Sequence, residues 1–242
     1  VLLSQGTKLT ERCIISLRKR KCSFVEVVCS SAHADAPLKF RYRNNGVVRS
    51  KAGFEGFYQE TVQIIKEAFR TIRLSNHLPL GIIHKLVDSH IVPLMDTYGA
   101  MEYIQDIQVH CDYTYRHSIN VAIISGILGK SIGLKKEQLE DLVLAGLLHD
   151  IGKIMIKLDI LNKPGKLTQE EMELMKTHPA NGYEFLLQYS QIKESVRDAV
   201  LHHHERNDGS GYPASLNKEK ISYYGKIVSI ADIYDAMTTD RV

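Results

Sequence analysis

The run Leu142-Val143-Leu144-Ala145-Gly146-Leu147-Leu148-His149-Asp150 sets the architecture of this chain. It closes a helical segment, Glu137 to His149, that is apolar nearly all round in its second half. A helix with no polar face is buried on every side, so other helices must surround it. The run then ends on a carboxylate. An ionised aspartate at the end of a buried helix costs several kcal/mol unless something compensates it.

The flanking sequence supplies the surrounding helices. Phe57, Thr61, Ile64, Ile65, Ala68 and Ile72 mark one face of a long helix after Gly53. Leu80 to about Gln108 keeps a helical register, which Pro93 is expected to kink or divide. His117, Val121, Ile124 and Leu128 share another face. Downstream, Thr168-Gln169-Glu170-Glu171 is a capping box, Ser195 to His204 is helical, Gly209 to Pro213 is a forced turn, and Gly225 to Met237 is a last apolar helix. Residues 1–52 read differently. Leu9 to Lys21 has helical spacing and Phe24 to Cys29 alternates as a strand. Asn45-Gly46 between Phe40–Arg43 and Val47–Val48 predicts a hairpin with a type I′ turn. The expected protein is mainly α, with a small α+β module over residues 1–52 and a helical domain over 53–242.

Composition narrows the class. Of 242 residues 44% are hydrophobic and none is Trp, so aliphatic side chains must fill the core. Residues 1–51 hold eleven Lys/Arg against three acidic residues, which leaves a net −5 on residues 52–242 of a chain whose total is +3. The basic run Arg18-Lys19-Arg20-Lys21 reads either as a solvated helix face or as a contact for an anionic partner, and the sequence does not decide between them. Cys13, Cys22, Cys29 and Cys111 show no CxxC pair, which fits free thiols in a cytoplasmic protein. The apolar runs Val121–Gly129 and Leu142–Leu148 fall far short of the roughly 18–20 residues that span a bilayer, so the chain reads as soluble, without a membrane segment. No signal peptide is visible, and the start at Val1 rather than Met fits a fragment.

Seven of the eleven histidines fall between His110 and His204. Singly, each has a plain structural explanation. Asp150 could cap the next segment, His149 could be a core histidine, and His202-His203-His204 could be a surface patch. The set is harder to dismiss, because Asp232 is a second carboxylate inside an apolar helix, Ile227 to Tyr234. With His117 and His178 on two further helices, metal ligation accounts for all of them. Imidazole and carboxylate without thiolate suit iron, manganese or zinc rather than Mg²⁺ or Ca²⁺. Six or seven ligands exceed the need of one tetrahedral ion, so two ions sharing Asp150 as a bridge are expected. Such a pair activates a shared water as hydroxide and holds phosphoryl oxygens for in-line attack. Lys153 would share a face with His149 if the helix ran on through Gly152, and would bind a phosphate there; the alternative is an ordinary surface lysine. The loop Asn207-Asp208-Gly209-Ser210-Gly211-Tyr212-Pro213 forms a lip that sets an aromatic ring beside the metals.

From Tyr113 to Val242 these residues resemble the HD-GYP domains, a bacterial branch of the HD metal-dependent phosphohydrolases. The resemblance rests on Tyr113-Thr114-Tyr115-Arg116-His117-Ser118, Leu147-Leu148-His149-Asp150-Ile151-Gly152-Lys153, Lys163-Pro164-Gly165-Lys166-Leu167-Thr168, His178-Pro179, His203-His204-Glu205-Arg206-Asn207-Asp208-Gly209-Ser210-Gly211-Tyr212-Pro213 and Ala231-Asp232-Ile233-Tyr234-Asp235-Ala236-Met237. Residues 53–110 look like the lead-in helices such domains carry, 111–242 like their metal-binding core, and the segment before them like the end of a small regulatory module.

The resemblance implies an HD-type helical bundle and hydrolysis of cyclic di-GMP to pGpG, in some members onward to GMP, by a bridging hydroxide at a two-metal centre. It implies His117, His149, Asp150, His178, His203, His204 and Asp232 as metal ligands. Asp150 and Lys153 are the implied catalytic residues; Lys153, Gly211, Tyr212, Pro213 and Arg241 are the implied substrate contacts. The cofactors would be two divalent ions, iron or manganese, with zinc as a further option. The partner would be cyclic di-GMP or a related cyclic dinucleotide, not a long nucleic acid, and a homodimer or a signalling protein partner stays open. Alternatives are an HD hydrolase for another phosphate ester, or a catalytically weak module that responds to cyclic dinucleotides. Three departures stand out. Tyr113 replaces a glutamate that completes a third metal site in some members, Cys111 replaces a substrate-side aspartate, and the chain stops at Val242 where the motif around Arg241 should continue, so the domain reads as C-terminally incomplete.

Overall fold

In the computed structural model the described residues are 24–26, 39–41, 50–107 and 113–239. The chain divides into two compact units, Val1–Gly46 and Val47–Val242. Of the first unit, two short strands are described. β1 (Phe24–Glu26) pairs antiparallel with β2 (Lys39–Arg41), Val25 opposite Phe40. The expected helix Leu9 to Lys21 and the Asn45-Gly46 hairpin lie outside the described residues.

The second unit is helical. α1 (Lys51–Ser75) opens at Ser50, whose hydroxyl accepts from the Gly53 N–H at 3.2 Å, and closes at Asn76 in the left-handed region, φ 51°. Its expected face, Phe57 through Ile72, is buried, and Phe54 and Tyr58 extend it. The stretch from Leu80 is more broken than one kink at Pro93 would make it. α2 (Leu80–Leu86) widens into a π-helical turn (Val87–Ile91), α3 (Val92–Met95) follows, and α4 (Ala100–Asp106) restarts after Gly99 at φ 80°. Pro93 has no N–H for the carbonyl four residues back, and the widened turn sits just before it. The chain stops again at the left-handed glycine.

α5 (Tyr113–Ser131) and α6 (Lys136–Leu148) form the centre. Every residue from Leu142 to Leu148 is buried, as the apolar run requires. The two helices touch backbone to backbone, because a Cβ on Gly146 would lie 2.9 Å from Ala122 Cα. A 3-10 turn (Ile151–Met155), α7 (Leu158–Leu161) and α8 (Gln169–Met175) lead on; α8 opens with the expected Thr168–Glu171 capping box. α9 (His178–Leu187), α10 (Glu194–His202) and α11 (Tyr223–Thr238) complete the bundle. Among the described residues no helix is long and apolar enough to cross a membrane.

Candidate metal centre

The α6 helix ends at Leu148, and His149 and Asp150 leave it into the interior with 1% and 4% of their surface exposed. The condition for His149 and Lys153 to share a helical face is not met, because the helix does not run on through Gly152. A side chain there would collide with the His178 carbonyl, and the chain tightens into the 3-10 turn to pass it. Lys153 reaches the site from that turn instead, its Nζ 2.6 Å from Asp150 Oδ2. Arg73 of α1 holds the turn from outside, donating to the Lys153 and Ile156 carbonyls at 3.3 and 3.4 Å.

Three histidines are aimed by one local device. His149 Nδ1 lies 2.8 Å from the Gly146 carbonyl, His178 Nδ1 2.8 Å from Met175 and His203 Nδ1 2.7 Å from Val200, each three residues back. A carbonyl can only accept, so the ring proton sits on Nδ1 and Nε2 carries a lone pair into the centre. His178 Nε2 and His203 Nε2 are 3.2 Å apart.

The Asp150 carboxylate divides these rings between its two oxygens. Oδ1 faces His178 Nε2 at 3.2 Å and His203 Nε2 at 4.0 Å; Oδ2 faces His149 Nε2 at 3.4 Å and His117 Nε2 at 3.9 Å. Two ligand sets meet on it, Asp150-His178-His203-His204 and His117-His149-Asp150, each with donor atoms within 4.8 Å of one another. Asp232 lies across the mouth, Oδ1 3.0 Å from His117 Nε2 and Oδ2 3.9 Å from His204 Nδ1. All seven expected ligands therefore converge.

The electrostatics fit a cation. Burial opposes charge on Asp150, but Lys153 and the imidazoles outweigh it and hold the carboxyl well below the usual range. Asp232 is also disfavoured by burial, yet its bond with His117 and the surrounding imidazoles bring it down to about 2. Burial and the neighbouring rings push His203 well below the ordinary imidazole value and His204 down to about 4, so both rings are neutral at pH 7, the form in which an imidazole can bind a metal. For His117 burial is overcome by bonds to Asp232 and Asp235, which raise it to about 9. His149 Nε2 and Asp150 Oδ1 are buried with no hydrogen-bond partner. Lone pairs and carboxylate oxygens turned on one another in a dry interior are what a divalent cation resolves.

The lip is built on Glu205. Its buried carboxylate accepts from the Ala214 and Leu216 N–H groups at 2.7 and 2.8 Å. Gly211 passes so close to the Glu205 and Arg206 backbone that no Cβ fits. Tyr212 thereby sets its ring 4.8 Å from that of His204, and Pro213 follows it, exposed. The anchoring by Glu205 was not foreseen; its place directly after the histidine triplet was the available signal. Asp235 was also missed as a functional residue, though it sits one helical turn beyond Asp232. Tyr113, in place of the third-site glutamate, stacks on His117 with centroids 5.7 Å apart. Arg241 and Cys111 lie outside the described residues.

Residues 102–242, which carry all seven residues of this cluster, match the family model described as HD domain. The chain belongs to the HD domain family. Its motifs place it in the HD-GYP branch. The chain is 39% identical over 173 residues to the "Cyclic di-GMP phosphodiesterase PA4108" of Pseudomonas aeruginosa, covering 72% of this chain and 42% of that protein. It is 33% identical over 165 residues to the "3'3'-cGAMP-specific phosphodiesterase 3" of Vibrio cholerae, covering 68% and 33%. The chain thus spans less than half the length of these curated relatives. Among solved structures it is similar in fold to Bd1817, an HDG"Y"P protein from Bdellovibrio bacteriovorus, with TM-score 0.62 and 21% identity over 78% of this chain and 60% of that one.

Proposed function

We propose that this HD-GYP domain is a phosphodiesterase that hydrolyses cyclic di-GMP to pGpG with two divalent cations, iron or manganese. The observation that carries this reading is the split of Asp150, one oxygen toward His178 and His203 and the other toward His117 and His149. His117, His149, Asp150, His178, His203, His204 and Asp232 would hold the ions. When bound, they would neutralise phosphoryl oxygens and acidify a water near neutral pH. The chain's own residues do the rest. Asp150 stays ionised, the Nδ1 bonds fix the rings, and the Lys153 ammonium offers a contact for a phosphate at the edge of the centre. Tyr212 offers an aromatic face suited to a nucleobase, with Gly211 and Pro213 shaping its lip, and Arg241 is a further substrate contact on the same reading. Residues 111–242 would form the metal-binding core, 53–110 its lead-in and 1–52 a regulatory module, in a cytoplasmic protein.

A second reading is favoured by the similarity to a relative named for 3'3'-cGAMP, namely that a mixed cyclic dinucleotide is the substrate. Protein purified anaerobically, analysed for metal and then assayed against both dinucleotides tests both readings. About two ions per chain with turnover of cyclic di-GMP is expected. Preference for the mixed dinucleotide would select the second reading, and metal-loaded protein that cleaves neither would reject both.

A further inference from the structure

His117 is held differently from the other inward-facing histidines. His149, His178 and His203 bond through Nδ1 to a carbonyl of their own local chain. His117 Nδ1 instead lies 2.7 Å from Asp235 Oδ2, a side chain of α11. The other oxygen of Asp235 accepts from Asn120 Nδ2 at 2.7 Å, and Asn120 Oδ1 accepts from the Tyr58 hydroxyl at 2.6 Å. Donors and acceptors run consistently: Tyr58 to Asn120, Asn120 to Asp235, His117 to Asp235. All four groups are buried, and Tyr58 stands on α1, outside the segment that matches the HD family.

We propose that Tyr58, Asn120 and Asp235 are positioning residues for one of the two metal sites, so that the lead-in helix α1 sets the affinity of the ion held by His117 and leaves the other ion alone. The reason is where each site takes its rigidity. The His178–His203 side rests on backbone carbonyls, which side-chain substitution leaves in place. On the other side His149 also rests on a carbonyl, but His117 rests on a carboxylate that is bonded to Asn120 and, through it, to a hydroxyl of α1. Asp235 fixes the His117 proton on Nδ1, turns Nε2 toward Asp150 and Asp232, and raises the basicity of the ring as a ligand. Loss of such a partner weakens metal binding about 10- to 100-fold. The inference rests on the two-metal reading above.

Metal-free full chain titrated with Mn²⁺ tests it, by ion stoichiometry, calorimetry and the electron paramagnetic resonance of coupled against isolated Mn²⁺. Wild type is expected to bind two ions, and His117→Ala and His178→Ala assign which is which. Asp235→Asn should weaken the His117-side ion about 10- to 100-fold and replace the coupled signal by that of a single ion, with the His178-side ion unchanged. Tyr58→Phe, which removes only a buried hydroxyl, should weaken the same ion to a lesser extent. Thr61→Val is the control. It removes a buried hydroxyl from the same helix, one bonded to the Phe57 carbonyl and outside the relay, and should leave both ions at wild-type affinity. Unchanged binding in both relay variants, or equal weakening of both ions, would overturn the inference. Wild type that binds fewer than two ions would instead overturn the metal reading beneath it.

Discussion

His178 and His203 point their Nε2 atoms at each other across 3.2 Å, each with its proton held on Nδ1 by a backbone carbonyl. Two lone pairs at that distance repel, and a cation between them turns the repulsion into ligation. Removal of metal should therefore destabilise the fold and not merely silence it. Thermal melts of chelated protein titrated with Mn²⁺ should show a midpoint that climbs with free metal, equivalent to about 2.7 kcal/mol at a hundredfold excess over Kd. His203→Ala should remove the share of that climb due to the ion on the His178 side and keep the rest. A midpoint indifferent to metal in the wild-type chain would remove the site.

Lys153 carries a separable prediction. Its ammonium contacts Asp150 at 2.6 Å but offers no lone pair while protonated, so it is not a ligand. Lys153→Met should lower the rate of phosphodiester cleavage about 100-fold, the scale for losing one preorganised charge donor. Metal content should stay at the wild-type value by elemental analysis. Loss of an ion would mean that Lys153 serves to hold Asp150 in place rather than to meet substrate.

The lip should respond in two distinguishable ways. Glu205→Gln removes the charge that two backbone N–H groups are aimed at, and hydrogen bonds to a charged group contribute about 1.5–3 kcal/mol each. Denaturant unfolding should read a loss of about 2 kcal/mol. Gly211→Ala places a methyl group into the Glu205 and Arg206 backbone, so the lip must move and carry Tyr212 with it. There the expected change is a higher KM at nearly constant metal content. An unaltered KM would show that Tyr212 does not meet substrate.

The helices and the ligands were legible in sequence for one reason: both leave a one-dimensional mark. The apolar circumference of Leu142–Leu148 forces burial, and charged or imidazole groups stranded at its end or inside Ile227–Tyr234 need an explanation wherever they fold. What stayed hidden depends on close approach between distant segments. Nothing near Gly152 in the sequence says that the His178 carbonyl will press on it, so whether the helix ran on to Lys153 stayed open. Asp235 looked like one more residue of an apolar motif, because its value lies in Asn120 and Tyr58, 115 and 177 positions away. At Pro93 the break was foreseen but not its form, since a widened turn is chosen by what packs around it.

His90 gives a prediction outside the candidate metal centre. It is fully buried, stacks on Phe57 with centroids 4.8 Å apart and has Ser89 Oγ 3.0 Å from Nδ1. Burial first, and then the positive charge of Lys85, lower its pKa to about 4. In the unfolded chain the ring titrates near its ordinary value, about 6.5. Between these values the unfolded state binds the extra proton, so stability rises with pH across the window and is lost as pH falls through it. The contribution is whole above about pH 6.5, and about 3 kcal/mol of it is lost by pH 4. Chemical denaturation of wild type and His90→Gln at pH 7, 6, 5 and 4 isolates it, because every other titrating group is common to both. Wild type should lose about 3 kcal/mol more than the variant over that range. Parallel losses would mean that His90 is protonated in the folded protein, with its charge met inside the core.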